Sequence, residues 1–110
     1  MGRFVKGDVV VIPFPFSDLS ATKRRPALVV TALPGDDVIL CQITSRAIVH
    51  RHAISITASD FTIGSLHHDS NIRPDRLFTA DSSLILYRAG GLSAAKVQEV
   101  ITKIVDLITA

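Results

Sequence analysis

At 110 residues the chain is of one-domain length, long enough to bury a core of its own. Its hydrophobic fraction of 47% and charged fraction of 20% exclude a disordered chain. A net charge of only +2 excludes a general polycation. No apolar run approaches the length that crosses a bilayer and no segment reads as a signal peptide, so a cytoplasmic location is expected.

The first expected element is a buried strand. Val9-Val10-Val11-Ile12 is β-branched and bounded by Gly7-Asp8 and Pro13. Residues 13–22 read as a loop, because Pro13 and Pro15 deny ladder donors and the small polar residues after them favour turns. Phe14 and Phe16 have two readings there: they fold over the core edge, or one ring stacks on a nucleobase. Lys23-Arg24-Arg25 then leads into a strand over residues 26–31. Pro34-Gly35-Asp36-Asp37 makes a turn, and residues 38–44 form the next strand. The one cysteine, Cys41, cannot form an internal disulfide and reads as a small core residue.

Residues 52–57 alternate, with Ile54 and Ile56 on one face and Ser55 and Thr57 on the other, as a half-exposed strand does. Residues 61–69 show no clear period, and Gly64 marks a bend. Residues 70–79 hold a long strand interrupted near Pro74. Residues 81–92 are ambiguous and end in a loop at Gly90-Gly91. The last element is a helix. Val97, Val100, Ile101, Ile104, Leu107 and Ile108 recur at helical spacing, Ser93 is its N-cap, and Glu99 precedes Lys103 by four residues. The whole is an α+β domain over residues 1–110, with about five to seven short strands and a C-terminal helix. Periodicity leaves a bent barrel and an open sheet both possible.

The cations are unevenly spread. Lys23, Arg24, Arg25, Arg46 and Arg51 are opposed over that region only by Asp36 and Asp37, both in one turn. Such a rim suits an anionic partner; the bland reading is a solvated face. If strands 26–31 and 38–44 pair antiparallel, Arg25 and Thr44 meet at one end of them. A guanidinium beside a hydroxyl can bind and polarise a phosphate. Taken singly, Arg25 is also an ordinary surface arginine, and Thr44 with Ser45 an ordinary pair capping a turn. Arg73 and Asp75 stand two apart, on one strand face, which equally makes a structural salt bridge. His50 and His52 have same-face spacing but no third metal ligand. His67 and His68 would face opposite sides of a strand, so they are not expected to act as a paired acid and base, and they read as exposed. Asp18, Asp60, Asp69, Asp75 and Asp81 fall in separate turns, only Asp36 and Asp37 adjoin, and Glu99 lies in the helix, so no metal and no cofactor are expected. There is no nucleotide-binding glycine loop, paired-cysteine motif or serine triad.

Three segments carry a family resemblance: Lys6-Gly7-Asp8-Val9-Val10-Val11, Arg25-Pro26-Ala27-Leu28-Val29-Val30 and Ile43-Thr44-Ser45. In this order and spacing they resemble the MazF/PemK toxins over nearly the whole chain. The resemblance implies a small SH3-like, strongly bent antiparallel barrel with a C-terminal helix. It also implies a homodimer that cuts single-stranded RNA by attack of the 2′-hydroxyl and is held by a cognate antitoxin. Arg25 matches the family's catalytic arginine and Thr44 its active-site hydroxyl. Arg73 and Asp75 resemble a segment that some PemK-type members use for acid or base duty. Lys23, Arg24, Ser45, Arg46 and Arg73 are the expected RNA contacts. Relatives carry Glu or His in the first loop, where this chain has Asp18, Ser20 and Thr22, which leaves the general base unassigned. Two other classes share the ground: a toxin of this fold that inhibits a topoisomerase without catalysis, and a nucleic-acid-binding barrel without turnover. The Arg25–Thr44 pairing argues against the first.

Overall fold

The computed structural model describes residues 4–15, 22–45 and 51–110. Strands β1 (Asp8–Pro15), β2 (Thr22–Ala32), β3 (Asp37–Ser45), β4 (Ile54–Ile56), β5 (Phe61–Gly64), β6 (Ser70–Asp81) and β7 (Tyr87–Leu92) precede one helix, α1 (Ala94–Ile108). The strands form one antiparallel sheet in the order β4-β6-β3-β2-β1-β7-β5.

Laid flat, seven strands would hold their outer members roughly 29 Å apart. Yet Ile54 and Ile56 of β4 and Phe61 of β5 pack on one cluster, together with Val97, Val100 and Ile104 of α1. The sheet is therefore curled into a half-barrel, with α1 on its concave side. Val9, Leu28, Cys41, Ile43 and Ile72 complete that cluster. The alternate residues Val10, Ile12, Ala27, Val29 and Leu40 build a second cluster on the other face. Phe14 packs against this second cluster and meets Phe78 edge to face, with ring centroids 5.0 Å apart. It thus folds over the core edge; Phe16 lies outside the described residues.

The strands around residues 26–31 and 38–44 pair as expected, but β2 already begins at Thr22, because Lys23, Arg24 and Arg25 pair with β1; the bend between β2 and β3 turns at Gly35, whose φ is +87°. The proline loop starts later than expected, because β1 runs on through Pro13 to Pro15. The carbonyl of Val11 accepts from Leu86 N at 2.8 Å, so Val11 points its polar backbone towards β7. Pro13 and Pro15 share that direction, and the β7 pairing has ended at Val11. Their missing N–H groups therefore break no ladder bond.

Residues 61–69 contain a real strand, β5, ending at Gly64 with φ +62°. It pairs with β7, and this places Gly90 and Gly91 inside a strand rather than a loop. A Cβ on Gly90 would stand 2.5 Å from Ile63 O and 3.0 Å from the Phe61 ring, so the close approach of β5 requires glycine. In β6 the expected interruption is a bulge. The partners of β3 jump from Cys41–Leu77 to Ile43–Ile72, leaving residues 73–76 opposite Gln42 alone. The helix begins at Ser93, whose hydroxyl accepts from Lys96 N at 3.2 Å. Glu99 takes Lys96 as its cationic partner, at 3.0 Å; Lys96 also reaches Ser55 O and Asp60, tying the first turn of α1 to the sheet.

Candidate active site

Directly opposite residues of antiparallel neighbours share a face. Tyr87 of β7 stands opposite Val11 of β1, and Val11 opposite Pro26 of β2. Ala27 faces Gln42, and the same count one step on sets Pro26 beside Ile43 of β3. These four form the floor of a cleft of about 360 Å³. Its walls are Arg24 and Arg25 from β2, Thr44 and Ser45 from β3, Ser70 from β6, and Leu66, His67 and His68 from the segment entering β6. The residues expected to meet across β2 and β3 thus line one hollow.

Local sequence explains their positions. Pro26 forces Arg25 into extended geometry, and Arg25 stands opposite Ile12 in the β1–β2 ladder. Thr44 and Ser45 end β3, where Asn71 and Ser70 still pair with them. Thr44 Oγ1 is buried and has no hydrogen-bond partner among the described residues. An unmet buried hydroxyl costs about 1–3 kcal/mol, so it marks a place where a ligand oxygen is welcome.

The other candidates lie elsewhere. Lys23 is exposed and stands opposite Phe14, beyond the cleft lining. Arg46 and His50 fall outside the described residues. Arg73 and Asp75 occupy the β6 bulge and do not line the cleft. Arg73 is only 7% exposed, and its Nε and Nη2 donate to the two oxygens of Asp75 at 3.0 and 2.9 Å. Those hydrogen bonds hold the Asp75 carboxyl below its ordinary range and raise the Arg73 guanidinium further. A carboxylate so held is a weakened base. The Arg73 carbonyl accepts from Cys41 Sγ at 2.8 Å, and burial pushes that thiol up to about 12, so Cys41 is an inert core residue. Arg76 reaches Gln42 Oε1 at 3.4 Å. His52 lines a separate hollow of about 250 Å³ with Arg51, Glu99 and Lys103. Among the described residues no three His, Cys, Asp or Glu side chains are grouped to share an ion.

Sequence reasoning missed His67, His68 and Tyr87 as cleft residues. The histidines sit in a bend, where strand alternation does not apply. The signal was the loss of period after Gly64. Tyr87 lay in a stretch with no readable period at all.

A family model for the PemK-like, MazF-like toxin of type II toxin–antitoxin systems matches residues 5–108. The chain belongs to this toxin family. No curated protein matches it in sequence. Solved structures resemble this PemK/MazF member along almost their full lengths. An endoribonuclease in complex with its cognate antitoxin from a mycobacterial species gives a TM-score of 0.76 at 14% identity, covering 97% of this chain and 96% of that one. A MazE-MazF complex from Deinococcus radiodurans gives 0.76 at 22% identity, covering 98% of each. The toxin MazF-mt6 of Mycobacterium tuberculosis gives 0.71 at 16% identity, covering 93% and 96%. At these identities the likeness concerns the fold: the half-barrel with its C-terminal helix is the PemK/MazF fold. No helix among the described residues is long and apolar enough to cross a membrane.

Proposed function

We propose that this PemK/MazF toxin is an endoribonuclease that cuts single-stranded RNA in the Arg25–Thr44 cleft. The observation that carries the reading is the Thr44 hydroxyl, buried without a partner among the described residues in a cleft that Arg24 and Arg25 also line. A phosphate seated there accepts the hydrogen bond Thr44 lacks. A guanidinium fork supplies matching donors and a charge that cannot be titrated away. As the 2′-hydroxyl attacks the adjacent phosphorus, negative charge builds on the phosphoryl oxygens. Arg25 stabilises that charge, and Thr44 and Ser45 hold the group in place. The 2′-hydroxyl is already next to the phosphorus, so proximity supplies much of the rate.

The described residues lining the cleft include no carboxylate. Two-metal cleavage needs carboxylates at the phosphate. We therefore read the reaction as metal-independent, with a 2′,3′-cyclic phosphate and a free 5′-hydroxyl as products. Leu84 and Leu86, just before Tyr87 in the chain, are exposed apolar side chains, and Tyr87, which lines the cleft, is itself 52% exposed. A second copy of the chain would cover them and lengthen the groove, which supports a homodimer. The MazE-MazF and antitoxin complexes among the similar structures support a cognate antitoxin as the partner.

The test is incubation of purified protein with a random-sequence RNA pool in excess chelator, followed by mass spectrometry of the fragment ends. Cyclic-phosphate and 5′-hydroxyl ends are expected. RNA retained but uncut would instead make the protein a binding module. Cleavage that needs magnesium and leaves 5′-phosphates would overturn the mechanism.

A further inference from the structure

Transesterification needs two proton transfers, and neither Arg25 nor Thr44 is suited to them. The 2′-hydroxyl must lose a proton as O2′ bonds to phosphorus, and O5′ must gain one as the P–O5′ bond breaks. A guanidinium stays protonated and an alkyl hydroxyl is a poor base. Asp75 is engaged by Arg73 and does not line the cleft. Imidazole is the side-chain group that most readily both takes and gives a proton near neutrality.

The cleft holds two imidazoles. His67 and His68 both line it, and both are exposed. Their placement follows from the local chain. Gly64 turns the backbone at the end of β5. Leu66 then packs against the main core cluster and anchors the segment. Ser70 Oγ donates to His68 O at 3.0 Å and fixes the exit into β6. Between these anchors the chain bends, so adjacent side chains can serve the same hollow. Among the described residues, the other charged or titratable groups around the pair are Arg24 and Arg25 from β2, Tyr87 from β7, and Asp69 in the same segment.

We propose that His67 and His68 are the proton-transfer pair of the cleavage reaction. One imidazole takes the 2′-hydroxyl proton while O2′ forms its bond to phosphorus. The other, as imidazolium, gives its proton to O5′ while the P–O5′ bond breaks. The net change is one proton moved from O2′ to O5′; exchange with water resets the two rings. This rests on the RNA-cleaving reading above.

The experiment uses an oligonucleotide carrying a cut site mapped with wild-type protein on a random-sequence RNA pool, and a twin with sulfur replacing the bridging O5′. His67→Ala and His68→Ala should each lower cleavage of the oxygen substrate by about a hundredfold or more. The sulfur leaving group needs no proton, so the twin should restore one of the two variants and not the other. Affinity for the same oligonucleotide with a 2′-deoxy residue at the cut site should be unchanged, and so should the melting temperature, since both side chains are exposed. A double variant that cuts at the wild-type rate overturns the proposal. So does a fall in affinity that accounts for the fall in rate, or a sulfur twin that restores neither variant. If the wild-type protein leaves RNA intact, the RNA-cleaving reading itself fails. A cutting wild type with a cutting double variant removes only the histidines.

Discussion

Arg25 and Arg73 stand on β2 and β6, the two strands that flank β3. Arg73 is 7% exposed, gives two hydrogen bonds to Asp75, and lends its carbonyl to Cys41. Every polar group of that constellation named here has a protein partner. Arg25 lines an open cleft, and the Thr44 hydroxyl that lines the same cleft has no partner among the described residues. A satisfied buried network specifies structure, while an unsatisfied donor beside a cation waits for an anion. Residue type alone could not separate the two arginines; the surroundings do.

The largest expected effect lies on the cleft side of that contrast. Arg25→Ala should lower RNA cleavage by about a hundredfold or more and leave the melting temperature nearly unchanged. Cleavage by this variant at the wild-type rate would remove the cleft from the account.

The bulge should respond in the opposite way. Asp75→Asn should destabilise the fold by about 1–3 kcal/mol, because hydrogen bonds to a buried charge are lost. At equal folded fraction it should cost far less rate than Arg25→Ala. The pH dependence sharpens this. The folded-state pKa of Asp75 is lowered, chiefly by Arg73. Its contribution is therefore fully present above the unfolded carboxylate's range, around pH 3.9, and disappears as pH falls through the folded-state value. Denaturant titrations from neutral to acid pH should show a shallower acid loss in Asp75→Asn than in wild type. A larger loss of rate than of stability would return Asp75 to the reaction.

Much of this was legible in the chain. Pro26 and the β-branched runs around it announced β2 and β3, and antiparallel pairing brought Arg25 and Thr44 to one hollow. What stayed hidden depended on neighbours. Pro13 and Pro15 read as loop because their direction towards the side where the β7 pairing has ended is a property of the assembled sheet. Gly90 and Gly91 read as loop because the pairing that places them in a strand comes from β5, and the crowding that demands glycine at 90 comes from Phe61 and Ile63. His67 and His68 were assigned to opposite faces by a strand rule that does not hold in their bend. The ion pair of Arg73 and Asp75 was readable from spacing, but the bulge that holds it and the burial of Arg73 were not.

A smaller effect belongs to Thr44. Thr44→Val removes one neutral donor, so its loss of cleavage should be well below that of Arg25→Ala. Because the buried hydroxyl has no partner among the described residues, the same change should raise stability by about 1 kcal/mol in thermal melts. A drop in stability would mean the hydroxyl is satisfied in solution. The smallest effect is on salt dependence. Arg24→Ala should lower the slope of log affinity against log salt for single-stranded RNA by about 0.7. Arg73→Ala, compared at equal folded fraction, should leave that slope unchanged.

The most direct test of the central claim is where RNA touches the protein. An NMR titration with single-stranded RNA, made uncleavable by a 2′-deoxy residue at the cut site, reads this for every amide. The account predicts the largest shifts at Arg25, Thr44, Ser45, His67 and His68, with Gln42, Arg73 and Asp75 little changed. Shifts concentrated at the β6 bulge, or in the hollow of Arg51, His52 and Glu99, with the Arg25–Thr44 cleft silent, would contradict it.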